Sequence, residues 1–274
     1  GRNTFSFFDE NMDYLMQRHV ELEQGMRDAL SSEGGFQLVY QPVIAAANLE
    51  PVSVEVLTRW QKQSGEWISP AEFIPVAEDI GLILDLGKWQ IHYLFERLEQ
   101  WKLDALSHLH VSLNISAVQL ARDDVADLLI NKMAESQISA DKVVVEVTET
   151  ALMSDSSKVA QNLTTLREQG VRLSIDDFGT GYSSLKYISE LEAHVLKIDR
   201  SFVANIGKRK NDEEVIMATV ALARNLGMDV IAEGVETTAQ LKFLMQIGVD
   251  YLQGFYFAKP MHEIDLMSYI KTFN

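Results

Sequence analysis

The sequence predicts an α/β fold, a modified TIM-type (β/α)8 barrel whose first strand runs antiparallel to its neighbours. Three observations predict it. From residue 36 onward, short β-rich runs alternate with amphipathic helical stretches, which calls for crossover connections and a mainly parallel sheet. Eight such units fill about 240 residues, a size that suits a closed barrel better than an open sheet. Only residues 44–51 separate the first two strands, and a crossover takes a dozen residues or more, so these two form a hairpin.

The elements follow in order. Residues 3–8 (NTFSFF) are strand-like, and Asp9 is placed to cap the helix that follows. That helix carries Met12, Leu15, Met16, Val20, Leu22 and Met26 at mixed three- and four-residue spacings and stops near 31–35. Its methionines read as packing residues. Strands are predicted at 36–43, 52–59, 109–114, 142–148, 171–176, 194–199, 229–233 and 250–253, and helices at 82–101, 123–136, 156–169, 212–227 and 237–247. A hairpin turn near Asn48 sets Gln41 opposite Glu55. The chain thus divides into a leading segment with a connecting helix, 1–34, and the barrel, 35–274.

Composition narrows the function. Forty acidic against 24 basic residues give a net charge of −16, which argues against binding duplex nucleic acid through its phosphates. A phosphate substrate remains open if divalent metal supplies the positive charge. The absence of cysteine excludes disulfides, thiolate zinc sites and a cysteine nucleophile. No apolar run approaches the roughly 18 residues of a membrane span and no signal peptide opens the chain. The expected location is the cytoplasm, which also fits the cytoplasmic part of a larger membrane-anchored protein.

Strands buried on both faces should be apolar, yet polar residues recur near their carboxyl ends. Strand two carries Glu55, with Arg59 on the same face by alternation. Strand three ends in Asn114, strand four in Glu146 and Glu149, strand five in Asp176 and Asp177. Strand six carries Lys197 and Asp199, strand seven ends in Glu233 and strand eight in Gln253. Each alone reads as a cap or loop residue. Together they fall where barrel enzymes place their sites.

So many carboxylates around one cavity repel, and they stay ionised together only if a cation neutralises them. All-oxygen ligands with an amide oxygen suit magnesium, manganese or calcium rather than zinc. The adjacent Asp176 and Asp177 suit bridging of two ions about 4 Å apart. Lys197 suits holding a phosphate oxygen or orienting water; the alternative is a buried ion pair with Asp199. No histidine falls at a strand carboxyl end, so no Ser–His–Asp set is indicated: His108, His110 and His194 lie near amino ends. Asp177-Phe178-Gly179 matches the kinase metal-binding tripeptide, but the glycine-rich loop and the H-R-D motif are missing.

Nine segments carry a resemblance to a known family: YQPV (40–43), EVLTRW (55–60), SPAEFIPVAE (69–78), SLNIS (112–116), VEVTET (145–150), DDFGTGYSSL (176–185), LKIDRSFV (196–203), AEGVET (232–237) and QGFYFAKP (253–260). In this order they make the chain similar to the EAL-domain cyclic di-GMP phosphodiesterases of bacteria. The resemblance implies hydrolysis of cyclic di-GMP to linear pGpG by metal-activated water, with one or two Mg2+ or Mn2+ ions. It implies that Glu55, Asn114, Glu146 and Asp176 hold the first metal, and that Asp177 and Glu233 complete a second site with Asp176. Lys197, Glu55 and Glu233 become the catalytic set, with Lys197 on the nucleophilic water. Gln41, Leu57, Arg59, Asn114 and Gln253 become substrate contacts. Glu149, Glu236, Gly179 and Gly181 support or form the loop 177–185, near which the resemblance also implies a homodimer contact.

The sequence departs from the family in two places. The signature triplet reads Glu-Val-Leu, and Val56 points away from the cavity by alternation. The stretch before Lys197 reads LEAHVLKID, where the family commonly has Pro and Asp at the places of Glu192-Ala193 and His194. Residues 1–34 resemble the tail of a GGDEF domain and its connecting helix, which implies regulatory domains upstream of this chain. The competing function is a receptor that binds cyclic di-GMP without cleaving it; the intact ligand set favours the hydrolase.

Overall fold

Alternation of side chains along the strands and short hairpin geometry set the barrel. The structure, a computed structural model, describes residues 10–273 except 32–33, 123, 154–155, 180–187 and 189, with side chains from residue 15 on. The strand-like 3–8, Asp9 and the side chain of Met12 lie outside the described residues.

Among the described residues there are nine strands: β1 (Phe36–Ala45), β2 (Pro51–Gln61), β3 (Trp67–Ile68), β4 (His110–Asn114), β5 (Val143–Thr148), β6 (Arg172–Phe178), β7 (Val195–Ile198), β8 (Asp229–Ala232) and β9 (Tyr251–Leu252). Their order is β1-β9-β8-β7-β6-β5-β4-β2-β3, and a β1–β2 pairing closes an eight-stranded barrel that leaves β3 as an appendage of β2. β1 pairs antiparallel with β9 through Ile44–Leu252 and Ala45–Tyr251. All pairs from β2 through β4, β5, β6, β7 and β8 to β9 are parallel. The turn from β1 to β2 is tight: Ala45 N donates to Glu50 O at 2.9 Å, Leu49 N donates to Ala45 O at 2.9 Å, and Leu49 takes a left-handed φ of 60°.

All eight predicted barrel strands exist, with ends shifted by a residue or two. β3 was not anticipated, because two residues carry no periodicity. The helices Ile83–Trp101, Asp124–Glu135, Ser157–Glu168, Lys210–Leu226 and Thr238–Ile247 match those predicted. Pro70–Asp79, which starts with proline in its first turn behind Ser69, and Glu263–Ile270 are additional.

Two compact units make up the chain. One comprises residues 38–57 and 90–274 and holds the barrel; the other comprises residues up to 37 and 58–89. The second unit is centred on aromatic rings. Phe36 stacks on Trp60 at 5.7 Å between centroids, and Phe73 meets Trp60 edge-on at 5.7 Å. Its long helix, Glu10–Ser31, buries Leu22 and Met26 on one face. Met16 corrects the expectation of packing: it is 72% exposed, and Leu15 and Val20 are exposed with it. Residues 16 and 22 lie about 120° apart around a helix, as do 20 and 26, so Met16 and Val20 fall to the side of the face that Leu22 and Met26 bury. Arg18 instead ties this helix to Glu72 at 2.6 Å.

Candidate active site

In the barrel unit, strand alternation directs one polar residue after another inward at the carboxyl ends. Glu55 lies in register with Ser112 across β2–β4, Asn114 with Glu146 across β4–β5, and Glu146 with Ser174 across β5–β6. The centre of the group is Lys197 of β7, fully buried. Its Nζ lies 2.6 Å from Glu233 Oε1, 2.8 Å from Glu146 Oε2, 3.5 Å from Asp176 Oδ1 and 3.7 Å from Glu55 Oε2. Asp199, the alternative partner for this lysine, instead caps the short helix Arg200–Val203 by accepting from Ser201 N at 3.0 Å.

Amides hold Glu55 from both sides. Asn114 Nδ2 donates to Oε1 at 2.9 Å and Gln253 Nε2 to Oε2 at 2.6 Å. Gln253 Nε2 also reaches Gln41 Oε1 at 3.3 Å, and Gln41 Nε2 donates to the carbonyl of Ala258 at 3.2 Å. Gln41 and Glu55 therefore meet through Gln253. Gly254 permits this: at φ 158° it passes so close to Val235 that a Cβ would fall 2.2 Å from its carbonyl oxygen.

A bulge accounts for Asp176 and Asp177. Adjacent residues of a regular strand face opposite ways. Between β6 and β7, Ile175 pairs with Leu196 and Phe178 with Ile198, so three steps on β6 meet two on β7. Asp177 absorbs the extra residue with φ at 55°, and its N–H donates to Asp176 Oδ1 at 2.9 Å. Strain of this kind in a non-glycine residue beside a polar cluster is a feature that functional sites share.

The electrostatics follow from burial. Desolvation pushes the Glu146 carboxyl up to about 7, with Lys197 opposing and Glu55 and Asp176 adding to the rise. Desolvation likewise pushes Glu233 up to about 8 against the pull of Lys197. Asp177 is raised by burial and then by Asp176. Burial disfavours the Lys197 ammonium, but Asp176, Glu146, Glu233 and Glu55 together hold its pKa well above the ordinary lysine value.

The donor set fits a hard divalent cation. Four carboxylates share one ammonium, and fully ionised they carry three uncompensated negative charges in a buried ring. Every donor oxygen is a carboxylate or amide, and Gln253 Oε1 is buried without a hydrogen-bond partner among the described residues. As the side chains stand, no three His, Asp or Glu side chains among the described residues form a ready ligand group. The Lys197 ammonium takes the point toward which the acids converge.

The remaining predicted residues are placed as follows. Glu149 is buried just after β5, where Thr148 caps its helical turn; its Oε2 accepts from Gly179 N at 2.9 Å and holds the start of the loop. Gly179 has φ 93°, and a Cβ there would lie 3.1 Å from the Phe202 ring. Gly181 lies outside the described residues. Glu236 is exposed and precedes the Thr237–Gln240 capping box, its N–H donating to Gln240 Oε1 at 2.8 Å. Leu57 and Arg59 are half-buried on β2, and Arg59 Nη1 donates to the Thr58 carbonyl at 3.0 Å. The histidines stay apart: His194 Nδ1 accepts from Leu173 N at 3.1 Å at the amino end of the barrel, and His110 lies 3.5 Å from the Val52 carbonyl. The sequence reading passed over Ser174, fully buried beside Glu146; its signal was alternation, two residues before Asp176.

Comparison with known proteins identifies the family. Residues 23–260 match the EAL domain family. The bifunctional diguanylate cyclase/cyclic di-GMP phosphodiesterase MucR of Pseudomonas aeruginosa is 37% identical over 270 residues, covering 98% of this chain and 39% of that protein. The cyclic di-GMP phosphodiesterase NbdA of the same organism is 35% identical over 273 residues, covering 100% of this chain and 35% of that protein. The chain thus spans well under half the length of these relatives. Among solved structures, the PaMucR phosphodiesterase in its c-di-GMP complex superposes with a TM-score of 0.85 at 36% identity, covering 90% of this chain and 99% of that one.

Proposed function

This chain belongs to the EAL domain family, and from that premise we propose that it hydrolyses cyclic di-GMP to linear pGpG. The observation that supports this best is the ring of Glu55, Glu146, Asp176 and Glu233 around Lys197 Nζ at the carboxyl end of the barrel. Glu55, Asn114, Glu146 and Asp176 would hold one Mg2+ or Mn2+ ion, and Asp177 and Glu233 with Asp176 a second. When bound, such ions supply Lewis-acid stabilisation of the phosphodiester charge and of the attacking water.

The chain's own residues do the rest. Lys197, permanently charged, holds the water or a phosphate oxygen in line with the scissile bond. Water attacks phosphorus and gives up a proton, the P–O3′ bond breaks with its electron pair on O3′, and that oxygen takes up one proton to leave as the 3′ hydroxyl. Glu233 is the most open carboxylate of the ring, its side chain 19% exposed, and is the acceptor for the water's proton. Gln253, with Gln41 behind it, holds the Glu55 carboxylate in place as a ligand. Leu57, Arg59, Gln41, Asn114 and Gln253 contact the dinucleotide.

With this function go a homodimer through the region of the loop 177–185, a leading segment 1–34 joining the barrel (35–274) to upstream regulatory domains, and a cytoplasmic location. Among the described residues no helix is long and apolar enough to cross a membrane. Incubation with cyclic di-GMP and Mg2+ or Mn2+, with product identification, tests the reading. Release of pGpG supports it; tight binding with intact cyclic di-GMP replaces it with the receptor reading.

A further inference from the structure

One buried group in the barrel has no place in that chemistry. Ser174 is fully buried on β6, and its Oγ has no hydrogen-bond partner among the described residues. A buried hydroxyl left unpaired is unfavourable, so its presence calls for a physical reason. Its position supplies one. Ser174 is in register with Glu146 on one side and Val195 on the other, so all three side chains point to the same interior face. Lys197 is on β7 and Glu146 on β5, with β6 between them. Two strand spacings are about 10 Å, yet Lys197 Nζ and Glu146 Oε2 are 2.8 Å apart. The two side chains therefore meet over β6, where Asp176 Oδ1 lies 3.5 Å from the ammonium and Ser174 stands two residues earlier on the same strand.

We propose that Ser174 is a positioning residue for Lys197: its small side chain leaves open the passage over β6 in which the lysine and Glu146 meet, and its hydroxyl is a spare acceptor for the ammonium. The ammonium has three N–H groups, and its two short bonds go to Glu146 and Glu233. A cation competing for those carboxylates leaves the ammonium short of acceptors. The hydroxyl below it then takes the freed donor, so Lys197 yields oxygens to the cation without losing its place. This inference rests on the hydrolase reading for its effect on turnover, but its effect on cation binding is independent of that reading.

The test compares Ser174→Ala, which removes the hydroxyl and keeps the passage, with Ser174→Val, which fills it. Mn2+ binding is measured by calorimetry without nucleotide, and kcat and KM for cyclic di-GMP are measured separately; thermal melting confirms folding. Ser174→Ala should keep or raise the melting temperature of the metal-free protein, weaken Mn2+ about fivefold, and lower kcat about tenfold with KM unchanged. Ser174→Val should lower kcat further still. Mn2+ affinity in Ser174→Ala within twofold of the parent's overturns the proposal, whatever the turnover. A parent that binds Mn2+ but yields no pGpG sinks the hydrolase reading instead, and the Mn2+ comparison then decides the role of Ser174 alone.

Discussion

Two regions of the barrel interior are built on the same strands and differ in almost everything else. Val43, Val195 and Ile231 form an apolar cluster with Tyr251 packed against it. Two residues away on each of those strands stand Gln41, Lys197, Glu233 and Gln253, members of the polar ring. On β7, β8 and β9 the polar residue follows the apolar one; on β1 it precedes it. That inversion is what a reversed first strand requires for all four polar groups to reach one end of the barrel. One pleat of distance therefore separates a cohesive apolar layer from a polar layer whose burial opposes folding.

The largest effect comes from breaking the polar layer at its centre. Lys197→Ala or Glu55→Ala should reduce pGpG formation by on the order of 10³-fold or more at saturating Mn2+, measured by chromatography of products. Removing the lysine also leaves buried carboxylates without their counter-charge. Near-parental turnover in either variant removes the roles assigned to them. The matching change in the apolar layer, Ile231→Ala, should cost about 3 kcal/mol of stability, read from urea unfolding, while kcat changes less than about threefold at a temperature where the protein is folded. A collapse of kcat without loss of stability would erase the distinction between the layers.

Acidity sharpens the same contrast. Burial holds Glu146 up to about 7 and Glu233 up to about 8, so between pH 4.5 and 8 the folded chain keeps protons that the unfolded chain has released. Stability then falls as pH rises through that window. Lys197, raised above its ordinary value, remains charged throughout and loses its contribution only at strongly alkaline pH. In EDTA the melting temperature should be about 5 °C lower at pH 8.5 than at pH 5.5, and Mn2+ should close the gap while releasing protons. Ile231→Ala should leave this pH dependence intact. A pH-independent melting temperature would mean that the ring is not buried as a charged cluster.

Much of this was legible in the sequence. Alternation and connection length give eight strands, the hairpin and the inward set from Glu55 to Gln253, because burial on both faces leaves polar residues few reasons to be there. The β6 bulge was not legible: a register shift depends on the partner strand, and Ile175–Phe178 alone reads as a regular run. Gln253 as the bridge between Gln41 and Glu55 was hidden for the same reason, since β1 and β9 meet only on closure. Met16 was misread because helical spacing reveals a stripe but not which of two stripes is covered.

The smallest predicted effect contrasts inside with outside on β2. Glu55 and Val56 are both buried, at 7% and 1% exposure, yet they lie on opposite faces of the strand, with Val56 in register with Leu113 of β4. Val56→Ala turns the Glu-Val-Leu triplet into the family's Glu-Ala-Leu. It removes two methyl groups from the packed layer outside the barrel, a loss of about 2 kcal/mol including the space left behind. The Glu55 carboxylate is held by Asn114 and Gln253, neither of which touches the outer face through its amide. Turnover should therefore stay within twofold while the melting temperature falls by about 3 °C. A gain of tenfold or more in kcat on this substitution would show that the outer face tunes Glu55 after all, and that one pleat does not insulate the chemistry from the packing.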